Sequence, residues 1–357
     1  MKGRDTFFRI ISPDHLYAGA LLFTILTAFT VGTIYLFLYL KKRRHRVKTL
    51  LNDTIDDWIA DVMTEGITKA EEVPGLLNQY LKKKIFRQFI IDKLINIKKN
   101  ISGQPAADIE SIYMKLGLLN DSLAKMNSSL WHRKAKGIYE LGMMNMHASA
   151  ANILPYTNHR NKFVRREAQS ALVGFYGFDG LSFLDELTQP LLEWQHLKLL
   201  TQLQNFDMNP MTKLSSWLSS NNPYVVVFSL KLVEIYMQYD MHEAVVKKLN
   251  EENDKIRYHA IKALGAISND DTAAILIDHY NNESKPNKIE ILKQLSMIGS
   301  ASNNNFLHNQ LAEADNDIKL AVIRTLMSVN GVNHMIEQPD ATTTEMSLQV
   351  KKELAWK

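Results

Sequence analysis

The sequence of 357 residues contains no cysteine, which excludes disulfides, thiolate metal sites and a cysteine nucleophile. It also lacks a glycine-rich phosphate loop, a G-x-S-x-G nucleophile motif and an H-E-x-x-H metal-binding pair. Only nine prolines are present, and the alternating pattern of β-strands is scarce. Apolar residues instead recur at spacings of three and four, which is typical of helices. We therefore predict an all-α protein that is not an enzyme and has no cofactor, metal site or catalytic residues.

The distribution of charge separates the first hundred residues from the rest of the chain. Residues 1–100 contain 17 Lys and Arg against 10 Asp and Glu, whereas residues 101–357 contain 25 against 28. This local basic excess argues against nucleic-acid binding by the larger part, and we expect no nucleic-acid partner. Nucleic-acid binding near a membrane is a minor alternative, which predicts salt-dependent binding through Lys82, Lys83 and Lys84.

An uninterrupted stretch of 25 residues, Leu16 to Leu40, carries no charged side chain. A helix of this length crosses the hydrocarbon core of a bilayer, roughly 30 Å thick, with some tilt. A cleaved signal peptide would have a shorter apolar region that ends in a small-residue cleavage site, so we predict an uncleaved single-pass anchor. More basic residues follow the stretch than precede it, and the positive-inside rule then places the C-terminal part in the cytoplasm.

Small side chains form a stripe on one face of this predicted membrane helix. Such a stripe lets two membrane helices approach closely, so one interpretation is packing against a partner helix. The alternative is that small residues are simply frequent in membrane helices. The stripe consists of Ala20, Thr24, Ala28 and Gly32.

Two amphipathic segments follow the predicted anchor. We predict one helix over Leu51–Ile67, a second over Asn78–Asn100, and a linker at Ser102–Ala107. One interpretation places the basic side chains of this region against anionic lipid. The alternative is that the apolar face of the second helix packs on the following domain while its lysines stay solvated. The predicted lipid-facing residues are Lys41, Lys42, Arg43, Arg44, Lys82, Lys83, Lys84 and Arg87.

A helical segment of similar pattern recurs about every 31 residues in the second part of the chain. In each copy a reference residue and the residues four and seven positions later are mostly apolar, which places them on one helix face. A shorter helical pattern lies between consecutive copies, so each repeat is predicted to be a helical hairpin that buries its apolar face against its neighbours. The reference residues are Ala135, Ala168, Leu199, Ser229, Ala260, Ile291 and Val322.

Three copies share an aliphatic–basic pair just before the reference residue and a leucine after it: Val164-Arg165 with Leu172, Ile256-Arg257 with Leu264, and Ile318-Lys319 with Leu326. This pattern resembles the HEAT-repeat family, in particular the short HEAT-like repeats of the phycobilin-lyase type. The resemblance covers roughly Ser129 to Gln338 and implies an α-solenoid of about six or seven hairpins that binds through an extended surface. Some HEAT-like proteins are metal enzymes with several His-Glu dipeptides, whereas this chain has one, His242-Glu243.

Residues that can carry positive charge recur three positions before most of the reference residues. Stacked repeats would bring them into line, and one interpretation is a basic surface that meets an acidic partner. The resemblance implies the alternative, in which such a residue pairs locally with a turn aspartate or with carbonyls at a helix end. The predicted partner-binding residues are Arg165, Arg257, Lys288 and Lys319.

The remaining aromatic residues and the C-terminus are assigned structural roles. We interpret Trp131, Trp194, Trp217 and Phe206 as parts of the repeat core. The last segment begins with a possible capping box at Thr342. It is predicted to be either a flexible tail or a closing helix that covers the final repeat with Met346, Val350, Leu354 and Trp356.

These features divide the chain into five segments. We predict an extracytoplasmic N-terminus over residues 1–15, a transmembrane helix over 16–40, a basic juxtamembrane segment over 41–103, a HEAT-like solenoid over 104–338, and a capping helix or tail over 339–357. The first hypothesis is a membrane-tethered cytoplasmic scaffold that binds a protein partner in a membrane-associated complex. The alternative is an enzyme or cofactor-binding protein with a site on the concave face of the repeats.

Overall fold

The computed structural model describes residues 13–66, 72–206, 212–313, 315–331 and 341–355. These residues form α-helices and short 3-10 segments joined by turns, and none of them lies in a β-strand, which confirms the all-helical prediction. The chain divides into two compact units. Unit 1 comprises Met1–Ser129 with Met143–Asn145, and unit 2 comprises Leu130–Gly142 with Met146–Lys357.

Unit 1 is built on one long helix, α1, which runs from Pro13 to Glu65 over 53 residues. The predicted anchor and the first amphipathic segment are therefore parts of the same helix. Every residue from Asp14 to Arg46 is exposed, whereas the C-terminal part of α1 buries Leu51, Ile55, Trp58, Ile59 and Val62. In the described part of the chain, α1 is the helix that is long and apolar enough to cross a membrane, a test that a signal sequence also meets.

Four shorter helices complete unit 1: α2 (Gly75–Leu81), α3 (Lys84–Lys98), α4 (Gln104–Lys115) and α5 (Leu119–Met126). The prediction of one helix over Asn78–Asn100 is wrong, because the backbone of Lys83 is extended and separates α2 from α3. The predicted linker at Ser102–Ala107 is also wrong, because α4 begins at Gln104. Its proline occupies the first turn, where the missing N–H costs the helix nothing.

Unit 2 contains the repeats. Its helices are α6 (Trp131–Met143), α7 (Ala150–Ile153), α8 (Lys162–Tyr176), α9 (Glu193–Leu203), α10 (Leu214–Leu218), α11 (Pro223–Tyr236), α12 (His242–Val246), α13 (Asp254–Ala266), α14 (Thr272–Tyr280), α15 (Lys285–Ile298), α16 (Asn304–Glu313), α17 (Asn316–Asn330) and α18 (Ala341–Ala355). The seven predicted reference residues lie in α6, α8, α9, α11, α13, α15 and α17, and all seven are buried. Helices α11, α13, α15 and α17 each contact the next in this order, as do α8 and α9.

Polar side chains begin several of these reference helices. Asn161, Asn222 and Asn253 each accept a hydrogen bond from the backbone N–H two residues later, and Asp315 accepts one from the N–H of Ile318. Each bond satisfies a backbone donor that has no partner within its helix, and such caps contribute about 1 kcal/mol.

The last helix, α18, packs on α17 at the C-terminal end of unit 2. Val350 is fully buried against Ile323 and Met327, and Met346 and Leu354 pack on the same cluster. The structure therefore has the closing helix and not the flexible tail. The side chain of Thr342 and all of Trp356 lie outside the described part of the chain.

Candidate interaction surface

Aromatic side chains are exposed at the start of four reference helices. Trp131 is the first residue of α6, and Phe163, Trp194 and Tyr224 are the second residues of α8, α9 and α11. Their exposed fractions are 47%, 37%, 38% and 41% in this order. Large aromatic side chains are thus partly open to water at nearly matching positions of four helices.

Three of these rings are connected by stacking and cation–π contacts. The rings of Trp131 and Phe163 stack with their centroids 5.4 Å apart and their planes at 23°. The guanidinium of Arg166 lies 5.4 Å from the ring centroid of Phe163 and 5.4 Å from that of Trp194. We call Trp131, Phe163, Arg166 and Trp194 the aromatic row.

The buried carboxylate of Glu167 holds Arg166 in place. Its Nε donates to Oε1 of Glu167 at 2.6 Å, and Glu167 is only 7% exposed. Lys198 approaches the other carboxylate oxygen of Glu167 at 3.5 Å. An arginine that is fixed in this way loses little conformational freedom when a partner contacts the row.

The segment that carries Trp131, Phe163 and Arg166 is basic. Residues 130–170 contain seven Lys and Arg but only two acidic residues, Glu140 and Glu167, and both of these are buried. The exposed basic side chains in this part of the chain are Arg133, Lys136, Arg160 and Lys162. The exposed charge of this segment is therefore positive.

The interpretation of the tryptophans as repeat core is confirmed for Trp217 and wrong for Trp131 and Trp194. Trp217 is 5% exposed and its indole N–H donates to Asp185 at 2.6 Å. Phe206 is half-buried. Trp131 and Trp194 lie four and five positions before their reference residues, in the first turn of the helix. Their recurrence with Phe163 and Tyr224 in nearly the same register was the available signal.

Two of the four predicted partner-binding residues are engaged within their own repeats. Nη1 of Arg165 donates to the carbonyls of His159 and Arg160 at 2.8 and 3.0 Å. Nη1 of Arg257 donates in the same way to the carbonyls of Glu251 and Glu252 at 2.9 and 3.0 Å.

Nε of Arg257 also donates to the buried carboxylate of Glu283 at 2.9 Å. These contacts favour local pairing over contact with a partner. Lys288 lies 5.2 Å from the ring of Tyr280, and Lys319 is half-buried.

A second basic series, which the sequence reading missed, occupies the position two residues after the reference. It recurs at intervals of 31 residues in four helices, and that exact spacing was the signal for it. Each member pairs with a carboxylate, so its charge is compensated within the protein. The pairs are Lys231 with Glu193, Lys262 with Glu234, Lys293 with Glu290, and Arg324 with Glu353.

Two buried histidines lie in reference helices of the same unit. Burial and the nearby positive charge of Lys231 lower the pKa of His196 to about 4, against the opposing effect of Glu193. The pKa of His259 is lowered to about 4 by the same two causes. His196 packs against Phe228 with ring centroids 5.2 Å apart, and the nearest oxygen of Glu193 is 3.6 Å from its Nδ1.

Replacing His196 by Leu is expected to reduce the loss of stability between pH 7 and pH 4. The imidazole protonates near pH 6.5 in the unfolded chain and near pH 4 in the folded chain, so acidification favours unfolding across this window. The histidine then accounts for about 2–3 kcal/mol of the stability lost at pH 4. Thermal unfolding of the full chain, followed by circular dichroism at several pH values, measures the effect. The exposed His132→Leu variant is the control, and parallel pH profiles for all three proteins would contradict the prediction.

No group of three or more His, Asp or Glu residues is placed to hold a metal ion within the described ranges.

Comparison with known proteins identifies residues 242–327, from α12 into α17, as similar to the HEAT-repeat family. No curated protein matches the chain. One similar solved structure belongs to work on tubulin recruitment and assembly by microtubule polymerases with tumor overexpressed gene domain arrays. It is 11% identical, covers 84% of this chain and 85% of that chain, and has a TM-score of 0.26, which supports no argument about this protein.

Proposed function

We propose that this chain is a membrane-tethered scaffold whose repeat unit binds a partner protein in the cytoplasm. The HEAT repeats over residues 242–327 support the proposal, because stacked helical hairpins bind through extended surfaces. We extend the repeats to a HEAT-like α-solenoid over unit 2 that α18 closes. The observation that carries the proposal is the aromatic row, an exposed set of rings held in order by Arg166.

The composition of the aromatic row matches that of binding hot spots. Tryptophan and arginine are enriched among residues whose loss costs an interface most of its affinity. In this chain they are stacked before any partner arrives, so little side-chain entropy remains to be lost. The excess of exposed basic side chains in residues 130–170 favours an acidic partner surface.

The tether in this proposal is the exposed N-terminal part of α1. Its uncharged stretch is followed by six Lys and Arg between residues 41 and 48, which favours a cytoplasmic location for the rest of the chain. Holding the repeat unit at a membrane raises its effective concentration toward other membrane components. We therefore propose a membrane-associated complex as the partner.

The stripe of Ala20, Thr24, Ala28 and Gly32 is exposed along α1. The hydroxyl of Thr24 donates to the carbonyl of Ala20 at 2.8 Å, so it needs no partner outside its own helix. A Cβ added at Gly32 would meet no atom within 4 Å. We propose that this stripe packs closely against a membrane helix of the partner complex.

The proposed partner site is tested with a photocrosslinking amino acid introduced at Trp194 in the full chain in its native membrane. We expect a crosslink to one acidic protein. When the partner concentration is limiting, the additional Trp131→Ala change should lower the crosslink yield by about tenfold or more. Tyr239, which is 59% exposed and lies outside the aromatic row, is the matched control position. Equal crosslinking from positions 194 and 239 would contradict the proposal.

The enzyme or cofactor alternative is tested separately on the purified full chain. Metal analysis and an absorption spectrum measure bound metal and chromophore. Stoichiometric amounts of either would favour a site on the concave face over the scaffold.

A further inference from the structure

A groove in unit 1 combines basic side chains of α1 with apolar side chains at the start of α3. Its volume is about 320 Å³. It is lined by Lys41, Arg44, His45, Lys48, Ile85 and Phe86.

The four α1 residues of the groove lie on one helix face. Their positions follow the spacing of three, four and seven residues that brings side chains together along a helix. The first of them, Lys41, directly follows Leu40, the last residue of the uncharged stretch. If α1 spans a bilayer, the groove therefore opens at the depth of the lipid headgroups on the cytoplasmic side.

Among the residues that the structure describes, the basic side chains of the groove lack the carboxylate partners that Lys93 and Arg87 of unit 1 have. Lys93 pairs with Asp56 at 2.8 Å, and the Nε of Arg87 donates to Asp121 at 2.7 Å. Within the described residues, neither Lys41, Arg44 nor Lys48 forms an ion pair with a carboxylate.

Lys48 instead lies 5.4 Å from the ring of Phe89. Several uncompensated positive charges around one groove form a binding site for an anion.

The opposite wall of the groove is apolar. Phe86 is largely buried with 7% exposed, while Ile85 leaves 49% of its surface open. A free phosphate ion would gain nothing from this wall, whereas a phospholipid presents a charged phosphate beside glycerol and methylene groups. The chemistry of the two walls matches the two parts of such a molecule.

We propose that this groove binds one anionic phospholipid of the cytoplasmic leaflet, with its phosphate between Lys41 and Arg44 and its glycerol end against Ile85 and Phe86. The proposal rests on the membrane tether proposed above. It is narrower than the general attraction of a basic segment to an anionic surface, because it requires particular residues. Lys42 and Arg43 lie beside the groove residues in sequence but do not line the groove.

The experiment places the full chain in nanodiscs made of equal parts phosphatidylglycerol and phosphatidylcholine. Native mass spectrometry then measures the ratio of the two lipids that stay bound after release. We expect the wild-type chain to retain phosphatidylglycerol preferentially, and the double variant K41Q/R44Q to lower this preference by about fivefold to tenfold. Circular dichroism confirms that the variant keeps its helices.

The matched control is K42Q/R43Q, which removes the same charge from the same turn of α1. This variant is expected to keep the preference within about twofold, because its residues lie outside the groove. An equal loss in both variants would show diffuse attraction and overturn the proposal. Inorganic phosphate at roughly 20 mM is the second control. If it displaces the bound lipid, the groove is an ion site and the proposal is overturned.

Flotation of the chain with vesicles separates this proposal from the proposed tether. A chain that stays behind when vesicles float contradicts the tether. A chain that floats but retains both lipids equally contradicts only the groove.

Discussion

Removal of residues 1–48 is expected to transfer the chain from the membrane fraction to the soluble fraction with its helical circular dichroism preserved. The deleted part of α1 is exposed up to Arg46 and carries the uncharged stretch. The cut leaves Leu51, Ile55 and Trp58 in place, and these side chains are buried in unit 1. Ultracentrifugation after alkaline carbonate extraction, followed by far-ultraviolet circular dichroism, measures both parts of the prediction.

Deletion of residues 1–12 is the control, since it leaves the uncharged stretch intact and should keep the chain in the pellet. The intact mass of the membrane-bound wild-type chain separates an anchor from a cleaved signal sequence, because only an anchor preserves the full 40.9 kDa. If the variant without residues 1–48 remains in the pellet, that result would contradict the tether. A soluble chain without helical signal would contradict the independence of unit 1 from residues 1–48.

The Arg257→Ala variant is expected to lose about 3–5 kcal/mol of unfolding free energy. Arg257 donates to two backbone carbonyls and to Glu283, whose side chain is 3% exposed. Its removal leaves a buried carboxylate without its cationic partner, which costs far more than the pair itself contributes. Hydrogen bonding to Glu283 raises the pKa of Arg257, against the opposing effect of burial. Denaturant unfolding of the full chain, or of the chain without residues 1–48, measures the loss.

Arg324→Ala is the matched control, because Arg324 also pairs with a glutamate but its side chain is 47% exposed. Exposed pairs contribute about 0–1 kcal/mol, so this variant should remain near wild-type stability. Replacing Glu283 by Gln in the Arg257→Ala background should restore part of the loss, since it removes the unpaired charge. Similar small losses in both single variants would contradict the structural role and would leave Arg257 available to a partner.

The repeat register was predictable because it depends on local spacing. Apolar residues at intervals of three and four mark the buried face of each reference helix. Ala168, Ala260 and Val322 were therefore predictable without knowing which helices pack against them. Helix starts at Asn222 and Asn253 were predictable for the same reason, since a cap involves residues only two apart.

Features that depend on packing between distant segments were not predictable in the same way. The exposure of Trp194 depends on how helices distant in sequence pack, and its register with Phe163 and Tyr224 was the only local sign of it. The groove requires Phe86 and Arg44 to line the same space, and this follows from the packing of α3 against α1 across some forty residues of sequence.

The continuity of α1 is an intermediate case. No glycine or proline occurs between Tyr35 and Glu65, and the first residue beyond the helix, Gly66, adopts a positive φ of 92°. The sequence contained the signal that one helix extends to this point. The change of charge pattern after Leu40 suggested a boundary that the helix does not have.

The unbroken backbone of α1 has a mechanical consequence. At 1.5 Å per residue, α1 is about 80 Å long. A helix without a kink rotates and tilts as one rigid element. In a bilayer, a rotation of the lipid-embedded end is transmitted directly to the end that carries Ile55 and Trp58. If the N-terminal part of α1 lies in a bilayer, unit 1 rotates together with it. A neighbouring membrane helix that packs on α1 would then also set the direction in which unit 1 faces.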